Sequence, residues 1–195
     1  MARKGETFNE DHYLGLAIRG DREGLGYLVA AYRDLAYTIA FRLVNNAEDA
    51  EEVVQDAFLK AFACLGQFRR ASKFSTWLYR IVYNTALTKR SGRQRVIASL
   101  ADPPDETEYA NEENGGWMRL ARADRKKFIN LALDQLKGED RLILTLHYIA
   151  EKSIAEVGEI MELKRSAVKM RLLRGRKQLE TELQRLLNEE LKYIR

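Results

Sequence analysis

Residues 156–179, EVGEIMELKRSAVKMRLLRGRKQL, indicate a short helix, a break and a second helix rich in arginine and lysine. At 3.6 residues per turn, the second helix, over about 165–183, turns one narrow stripe inward, made of Val168, Leu172, Gly175 and Leu179. The first helix has an apolar side of its own, made of Ile154, Val157, Ile160 and Met161. Residues 162–164 supply a short turn between them, and this spacing is typical of a helix-turn-helix.

The outward face of the second helix is basic. Arg165, Lys169 and Arg176 line one flank, and Arg171 and Arg174 approach the other. The major groove of B-DNA admits one α-helix, whose N-terminal side chains reach base edges while flanking cations meet phosphates. A basic amphipathic helix can equally be a solvated surface. On this stretch alone, both interpretations stay open.

The composition of the 195-residue chain narrows the fold. Pro103 and Pro104 are the only prolines, and apolar residues recur at helical spacing without alternating β-branched runs. We therefore predict an all-α fold. The formal net charge of +4 is a weak sign of an acidic partner, and the clustering of the cations is more informative than their total.

The sequence argues against several classes of site and location. Cys64 is the only cysteine, which excludes an internal disulfide, and two distant histidines, His12 and His147, argue against a zinc site. Because the chain has neither a glycine-rich phosphate loop nor an inward carboxylate cluster, we expect no enzyme and no cofactor. No apolar run approaches the roughly 18 residues of a membrane span, so we expect a cytoplasmic protein without membrane insertion.

An acidic stretch divides the chain in two. Residues 101–116, ADPPDETEYANEENGG, lack periodicity and run from Pro-Pro to Gly-Gly. We predict a flexible acidic linker over 97–119 that joins two small helical domains. The N-terminal helical bundle comprises residues 1–96, and the helix-turn-helix domain comprises residues 120–195. In the second domain, Gly138 is expected to stop a helix.

Three to four helices are expected in the bundle, three of them over about 25–43, 47–65 and 76–89. The second of them places Asp49, Glu52 and Asp56 together, opposite its apolar side, which by itself fits a solvated face. A basic loop precedes the third helix.

Two motifs in the first block carry a resemblance to a known family. They are DAEEVVQDAFLKAF at residues 49–62 and FSTWLYRI at residues 74–81, followed after the acidic stretch by the helix-turn-helix. Together they resemble the core of a bacterial RNA polymerase sigma factor, and the two-domain layout resembles the extracytoplasmic-function (ECF) group. The similarity spans about residues 14–183.

The resemblance implies a function and the surfaces that perform it. A sigma factor binds core RNA polymerase, directs promoter-specific transcription initiation and helps to melt the upstream promoter element, with no catalysis of its own. The implied polymerase contacts are Asp49, Glu52, Gln55 and Asp56. The implied contacts with the minus-ten element, including its melted non-template strand, are Lys73, Ser75, Thr76, Trp77, Arg80, Asn84, Lys89 and Arg90. Cations interleaved with aromatic rings suit such a strand, and the candidates for the floor of a base pocket are Phe68, Phe74, Trp77 and Tyr83, of which Trp77 is expected to be largely structural. The implied contacts with the duplex minus-thirty-five element are Arg165, Ser166 and Lys169 for bases, and Arg171, Arg174 and Arg176 mainly for phosphate.

The resemblance also implies a regulatory partner, since sigma factors of this group are commonly held by an anti-sigma protein that two linked domains could wrap. An alternative function is a dimeric helix-turn-helix repressor or activator that acts without polymerase docking and binds a palindrome. The docking and melting motifs disfavour it. The chain departs from the family pattern at Glu162, where the turn usually has glycine, and at Ala167, where threonine is common.

Overall fold

In the computed structural model, the backbone is described for residues 6–100 and 123–193, and the side-chain surroundings for residues 10–93 and 128–186. Over these ranges the regular structure is helical throughout, which confirms the all-α prediction. The helices are α1 (Glu6–Ile18), α2 (Arg22–Val44), α3 (Ala47–Ala63), α4 (Phe74–Leu100), α5 (Ala123–Asp134), α6 (Gly138–Leu144), α7 (Ile154–Met161) and α8 (Arg165–Tyr193). A 3₁₀ turn follows α3 (Leu65–Gln67) and a π-helical turn follows α6 (Thr145–Ile149).

The break between α2 and α3 is made by two asparagines with different tasks. Asn45 ends α2 in the left-handed conformation, with φ of 52°, which asparagine tolerates better than most residues. Asn46 then caps α3, because its side-chain oxygen accepts a hydrogen bond of 2.9 Å from the Asp49 backbone N–H. The polar pair in the sequence therefore fixes where one helix ends and the next begins.

The first four helices form a bundle whose core is mainly aliphatic, with a few buried aromatic rings. Leu28, Ile39, Val53, Leu78 and Val82 are almost fully buried in it. The sequence analysis did not predict α1, which packs against α2. Gly24 permits this close crossing, since a Cβ there would lie 2.4 Å from the Ala17 backbone nitrogen.

Helix α4 begins at Phe74 and runs to Leu100, well beyond the predicted end near residue 89. No proline interrupts the chain before Pro103, and arginine, glutamine, alanine and leucine after residue 89 are good helix formers. Residues 97–100, which the sequence analysis assigned to the linker, are therefore helical. The rest of the predicted linker, residues 101–119, lies outside the described residues.

Helices α5 to α8 form the second unit, with α7 and α8 as the helix-turn-helix. Helix α7 begins in a capping box, in which Ser153 and Glu156 bond each other's backbone N–H groups. Val168 and Leu172 are buried and Leu179 half-buried, as the predicted stripe requires. Gly175 permits close packing, since a Cβ there would lie 3.3 Å from the Leu144 side chain.

The expectation that Gly138 stops a helix was wrong, because Gly138 is the first residue of α6 and α5 already ends at Asp134. The reason lies in packing rather than in helix propensity. A Cβ at Gly138 would lie 3.1 Å from the Arg42 carbonyl oxygen at the end of α2. Glycine thus lets the start of α6 approach the end of α2.

The two units pack against each other in the described chain. Helix α7 lies on α4, and α6 lies on α2. Their buried apolar residues form one continuous cluster. This arrangement decides which of the predicted surfaces face solvent.

Candidate nucleic-acid and protein interfaces

The acidic face of α3, defined here as Asp49, Glu52, Gln55 and Asp56, lies on the outside of the bundle. Glu52, Gln55 and Asp56 are exposed, and Asp49 is half-buried. Gln55 and Asp56 have no ion pair or hydrogen bond from any other described side chain. They are therefore free to meet a partner.

The other two residues of the acidic face are tied to α4. Asp49 bonds Arg93 at 2.8 Å, and Glu52 bonds Lys89 at 2.6 Å. The hydrogen bond that Lys89 donates to Glu52 is the main reason that the pKa of Lys89 is raised. Lys89, which the sequence analysis assigned to minus-ten DNA, thus lies beside the acidic face and clamps α3 to α4.

Leu59 belongs to the same outer side of α3 and was missed by the sequence analysis. Its side chain is 68% exposed, the highest value among the large apolar residues that the structure describes. It follows Gln55 by four residues and Asp56 by three, so helical periodicity places it beside them. That spacing is the signal that could have found it.

The α4 face, defined here as Lys73, Ser75, Arg80, Asn84 and Arg90, carries most of the residues predicted to contact the minus-ten element. Beside it, the rings of Phe68, Phe74 and Trp77 pack against one another with centroids 5.2 to 5.7 Å apart. Phe74 is buried and Trp77 is half-buried, which agrees with a largely structural role for Trp77. Tyr83 is also buried, and desolvation raises its pKa.

Thr76 lies beneath this surface rather than on it. Its side chain is 1% exposed, and its hydroxyl has no hydrogen-bond partner among the described residues. Ser75 is also buried, at 8% exposure, and its hydroxyl accepts a hydrogen bond of 3.3 Å from Lys152 of the second unit. A strand of DNA would reach Thr76 only if neighbouring side chains moved.

A cleft of about 250 Å³ opens between α1 and the loop before α4. It is lined by Glu10, Asp11, Leu14, Phe68, Arg70, Ser72, Lys73, Phe74 and Ser75. Arg70, with φ of 54°, bonds Asp11 at 3.1 Å across the cleft. The cleft joins ring surface to cations, which is the combination predicted for an extruded base.

The cations of the α4 face meet carboxylates of the second unit. Glu162 accepts hydrogen bonds from Arg80 Nε at 2.8 Å and from Asn84 Nδ2 at 3.1 Å. Lys73 donates to Glu156 at 2.9 Å, and Arg90 lies 3.7 Å from Glu139. Each charged group of this face thus has an acidic partner in the other unit.

The pKa values of the two glutamates reflect these contacts. Partial burial opposes ionisation of Glu156, but hydrogen bonds from Lys73 and Ser153 outweigh burial and lower its pKa to about 2. The hydrogen bonds from Asn84 and Arg80 lower the pKa of Glu162. Both carboxylates are ionised at neutral pH and hold the cations opposite them.

The recognition face of α8, defined here as Arg165, Ser166, Lys169 and Arg176, is exposed. None of these side chains forms an ion pair within the described ranges. Met170 and Leu173 are also exposed on α8, at 65% and 57%. Both offer apolar surface of the kind that contacts thymine methyl groups.

Two of the predicted phosphate contacts differ from the recognition face. Arg171 bonds Glu139, and Arg174 bonds both carboxylate oxygens of the buried Asp140, at 2.7 and 3.0 Å. These pairs fasten the middle of α8 to α6. Arg174 nevertheless stays 60% exposed, so it can bond Asp140 and still face a phosphate.

Among the described helices, none is long and apolar enough to span a membrane. The same residues hold no group of three or more His, Cys, Asp or Glu side chains arranged to bind a metal.

Comparison with known proteins decides the family. The profile of Sigma-70 region 2 matches residues 28–96, and that of Sigma-70 region 4 matches residues 129–179. The chain is 30% identical over 174 residues to the ECF RNA polymerase sigma factor SigW of Bacillus subtilis, an alignment that covers 86% of this chain and 93% of that protein. The chain belongs to the ECF sigma factors.

Other relatives agree with this result. The chain is 31% identical over 183 residues to the RNA polymerase sigma-H factor of Pseudomonas aeruginosa, covering 88% of this chain and 92% of that protein. The sequence-based resemblance and the function that it implied, promoter-specific transcription initiation, are therefore confirmed.

Solved structures show the same fold at lower identity. One is the sigma factor RpoE in complex with the anti-sigma factor NepR from Bartonella quintana, at 21% identity and a TM-score of 0.65, covering 82% of this chain and 96% of that one. Another is CnrH in complex with the cytosolic domain of CnrY, at 23% identity and a TM-score of 0.61, covering 88% and 95%.

Proposed function

We propose that this sigma factor uses three separate surfaces, one for each of its main partners. The acidic face of α3 docks on core RNA polymerase, the α4 face with its neighbouring cleft binds the minus-ten element, and the recognition face of α8 reads the minus-thirty-five element. The proposal rests on one observation: this ECF sigma factor has three surfaces that differ in chemistry. One is acidic, one combines cations with rings, and one is a basic helix after a short turn.

Docking depends most on the residues of the acidic face that no other described side chain engages. Gln55 and Asp56 offer an amide and a free carboxylate, and Leu59 beside them adds exposed apolar surface. An apolar centre with a polar rim is the usual anatomy of a protein interface. Asp49 and Glu52 add negative charge to this face, and their ion pairs with Arg93 and Lys89 also connect α3 to α4.

The minus-ten site takes a melted, single-stranded element. Lys73, Arg80 and Arg90 supply phosphate contacts, Ser75 and Asn84 supply polar groups for base edges, and the cleft beside Phe68 and Phe74 accepts an extruded base. Lys89 contributes at the border with the polymerase surface. Thr76 and Trp77 support this site from beneath, because one is buried and the other is half-buried.

The minus-thirty-five site takes duplex DNA in its major groove. Arg165, Ser166 and Lys169 stand at the start of α8, where a recognition helix meets base edges. Arg171, Arg174 and Arg176 follow and meet phosphates. We assign residues 1–100 to the polymerase and minus-ten domain, because α4 ends at Leu100, and we assign 101–119 to the linker and 120–195 to the minus-thirty-five domain.

The protein acts as a binding subunit in the cytoplasm, with no catalytic step of its own. Its further partner is an anti-sigma protein, because a structural neighbour of the same fold, the sigma factor RpoE, is solved in complex with an anti-sigma factor. The test of the proposal is co-purification of the tagged chain with bacterial core RNA polymerase, then in vitro transcription from a pool of genomic promoter fragments. Specific new start sites are the expected result, whereas binding to a duplex palindrome without polymerase would favour the dimeric regulator.

A double variant tests the docking surface. Gln55→Ala with Asp56→Lys should reduce co-purification with core polymerase at least about tenfold, since it removes a polar contact and reverses an interface charge. Asp49 and Glu52 are left intact because both bond α4, and their loss would also loosen the bundle. Asp34→Lys, an exposed charge reversal on α2, is the matched control. Equal polymerase recovery by the double variant and the control would reject the assignment.

A further inference from the structure

We propose that the free protein closes on itself, with the carboxylates of Glu156 and Glu162 occupying the α4 face in place of minus-ten DNA. The inference rests on the proposed assignment of that face to DNA. In the closed form the second unit acts as an intramolecular competitor, and the minus-ten site becomes available only when the two units separate.

The contacts at the α4 face are those that a phosphate backbone would make. The Glu162 carboxylate takes hydrogen bonds from Arg80 and Asn84, and the Glu156 carboxylate takes one from Lys73. Carboxylate and phosphate oxygens are both anionic acceptors for such donors. A DNA strand and the two glutamates therefore cannot use these donors together.

A second group of contacts blocks the base-reading part of the face. Lys152 Nζ donates to the Ser75 hydroxyl at 3.3 Å and lies 5.4 Å from the centre of the Tyr79 ring. Lys152 is half-buried there, and this desolvation lowers its pKa. The lysine stem covers the start of α4, next to the aromatic cleft.

The closed form does not depend on exposed ion pairs alone, which contribute little by themselves. Arg141 is buried at 6% exposure and donates to the Arg42 carbonyl oxygen at 3.0 Å across the contact. Arg42 in turn pairs with Asp134. Helix α7 packs along α4, and the apolar cores of the two units are continuous.

The backbone of Glu162 supplies an independent observation. Glu162 ends α7 in the left-handed conformation, with φ of 55°, where a side chain bearing Cβ is strained and glycine is not. A glycine would relieve that strain but would carry no carboxylate for Arg80 and Asn84. The closed form thus depends on the Glu162 side chain at a position whose backbone conformation favours glycine.

Size shows that the closed form cannot be the form on a promoter. Elements centred near minus ten and minus thirty-five are about 25 base pairs apart, or about 85 Å along B-DNA. A compact chain of this length has a radius of gyration of about 16 Å and is therefore about 40 Å across. A segment as long as residues 101–122 can span at most roughly 75 Å, which gives the units room to separate.

The closed form leaves the other two surfaces accessible. Asp56 of the acidic face and Arg165 and Lys169 of the recognition face are exposed and unpaired within the described residues, while Lys73, Arg80 and Asn84 of the α4 face are engaged by carboxylates of the second unit. Polymerase can therefore dock first, and separation of the units then uncovers the minus-ten site. This order would keep the free protein from binding single-stranded DNA away from polymerase.

The test compares two full-length double variants with the same loss of charge. Glu156→Gln with Glu162→Gln removes the carboxylates that face α4, and glutamine at position 156 keeps the capping box. Glu151→Gln with Glu159→Gln removes two exposed carboxylates of the same unit that have no ion pair in the described part of the chain. The readouts are the radius of gyration from small-angle X-ray scattering and the anisotropy of a fluorescein-labelled pool of random single-stranded 12-mers.

We expect the α4-facing variant to have a radius of gyration several ångströms larger than the wild type and to bind the pool roughly tenfold more tightly than the control variant. If the wild-type chain were already as extended as this variant, the free protein would not be closed. If the variant expanded but bound the pool no more tightly than the control, the second unit would not compete with DNA. Adding Arg80→Ala tests the underlying assignment separately: loss of the gained affinity supports the α4 face as a DNA site, and retention of it rejects that site.

Discussion

The two DNA-facing surfaces of this sigma factor have the same kind of residues but opposite surroundings. On the α4 face, Lys73, Arg80 and Arg90 each have a carboxylate partner from the second unit. On the recognition face, Arg165 and Lys169 are exposed and have no such partner within the described residues. One surface is therefore occupied in the closed chain, while the other is ready for DNA.

This difference shows that a basic cluster in a sequence does not reveal whether it is available. The partners of the α4 face are distant in the chain: Glu162 lies 82 residues after Arg80, and Glu156 lies 83 residues after Lys73. Such pairs follow from how the two units pack, and no local pattern encodes them. A cluster of DNA-binding residues can be recognised in the sequence, but whether it is available to DNA depends on the tertiary structure.

The largest expected effect comes from substitutions on the recognition face of α8. Arg165→Ala should weaken promoter recognition by about 1–3 kcal/mol if its base contact is bidentate, and Lys169→Ala should add to the loss. Transcription from promoters that depend on the minus-thirty-five element would fall accordingly. Polymerase co-purification and the radius of gyration should not change, because neither side chain contacts the first unit in the described structure.

Lys177→Ala is the control for these two variants, since it removes an exposed cation of the same helix outside the proposed contact set. An equal loss of transcription with Lys177→Ala would mean that general positive charge, and not base readout, drives binding. The salt dependence of binding would then be the same for all three variants.

Acid should open the closed chain, because the carboxylates that face α4 lose their charge. The pKa of Glu156 is lowered to about 2 in the closed chain, so its contribution is present above its ordinary pKa of 4.5 and is lost as the pH falls towards 2. Only the share due to Lys73 disappears on opening, because the bonds with Ser153 lie within α7. Glu162, whose pKa is also lowered, changes in the same direction.

Scattering measured between pH 7 and pH 3 checks this prediction. The radius of gyration should be constant near neutrality and rise below about pH 4.5. In Glu156→Gln, the rise should be smaller, because one titrating group is gone. A wild-type curve that is flat down to pH 3 would contradict the assigned role of Glu156.

Periodicity was enough to predict most helices and the packing stripe of α8. Val168, Leu172 and Gly175 are buried where the spacing placed them, and Glu52, Gln55 and Asp56 are exposed together as expected. These features depend on residues three or four apart on one helix, which a sequence shows directly. The family motifs supplied the functional assignment.

Contacts between distant segments account for what was missed. Helix α1 was not predicted, although Tyr13 stacks on Tyr27 with centroids 4.1 Å apart, because that pairing depends on how α1 crosses α2. The burial of Thr76 beneath the α4 face also depends on its neighbours in space. Glu139, which lies near both Arg90 and Arg171, could not be assigned from the sequence, because its two partners come together only in the folded chain.

The smallest expected effect concerns Glu162, which ends α7 and also contacts the α4 face. Glu162→Gly should stabilise the helix-turn-helix by about 1 kcal/mol, because glycine relieves the strain of the left-handed conformation. The same substitution should loosen the contact with α4, because Arg80 and Asn84 lose their acceptor. Hydrogen exchange would show slower exchange in α7 and the start of α8 together with faster exchange in α4. Glu162→Ala removes the same carboxylate but keeps the strain, so it should loosen α4 without stabilising the turn. If both variants protected α7 equally, the strain at Glu162 would be negligible, and glutamate would be retained there at no cost to the turn.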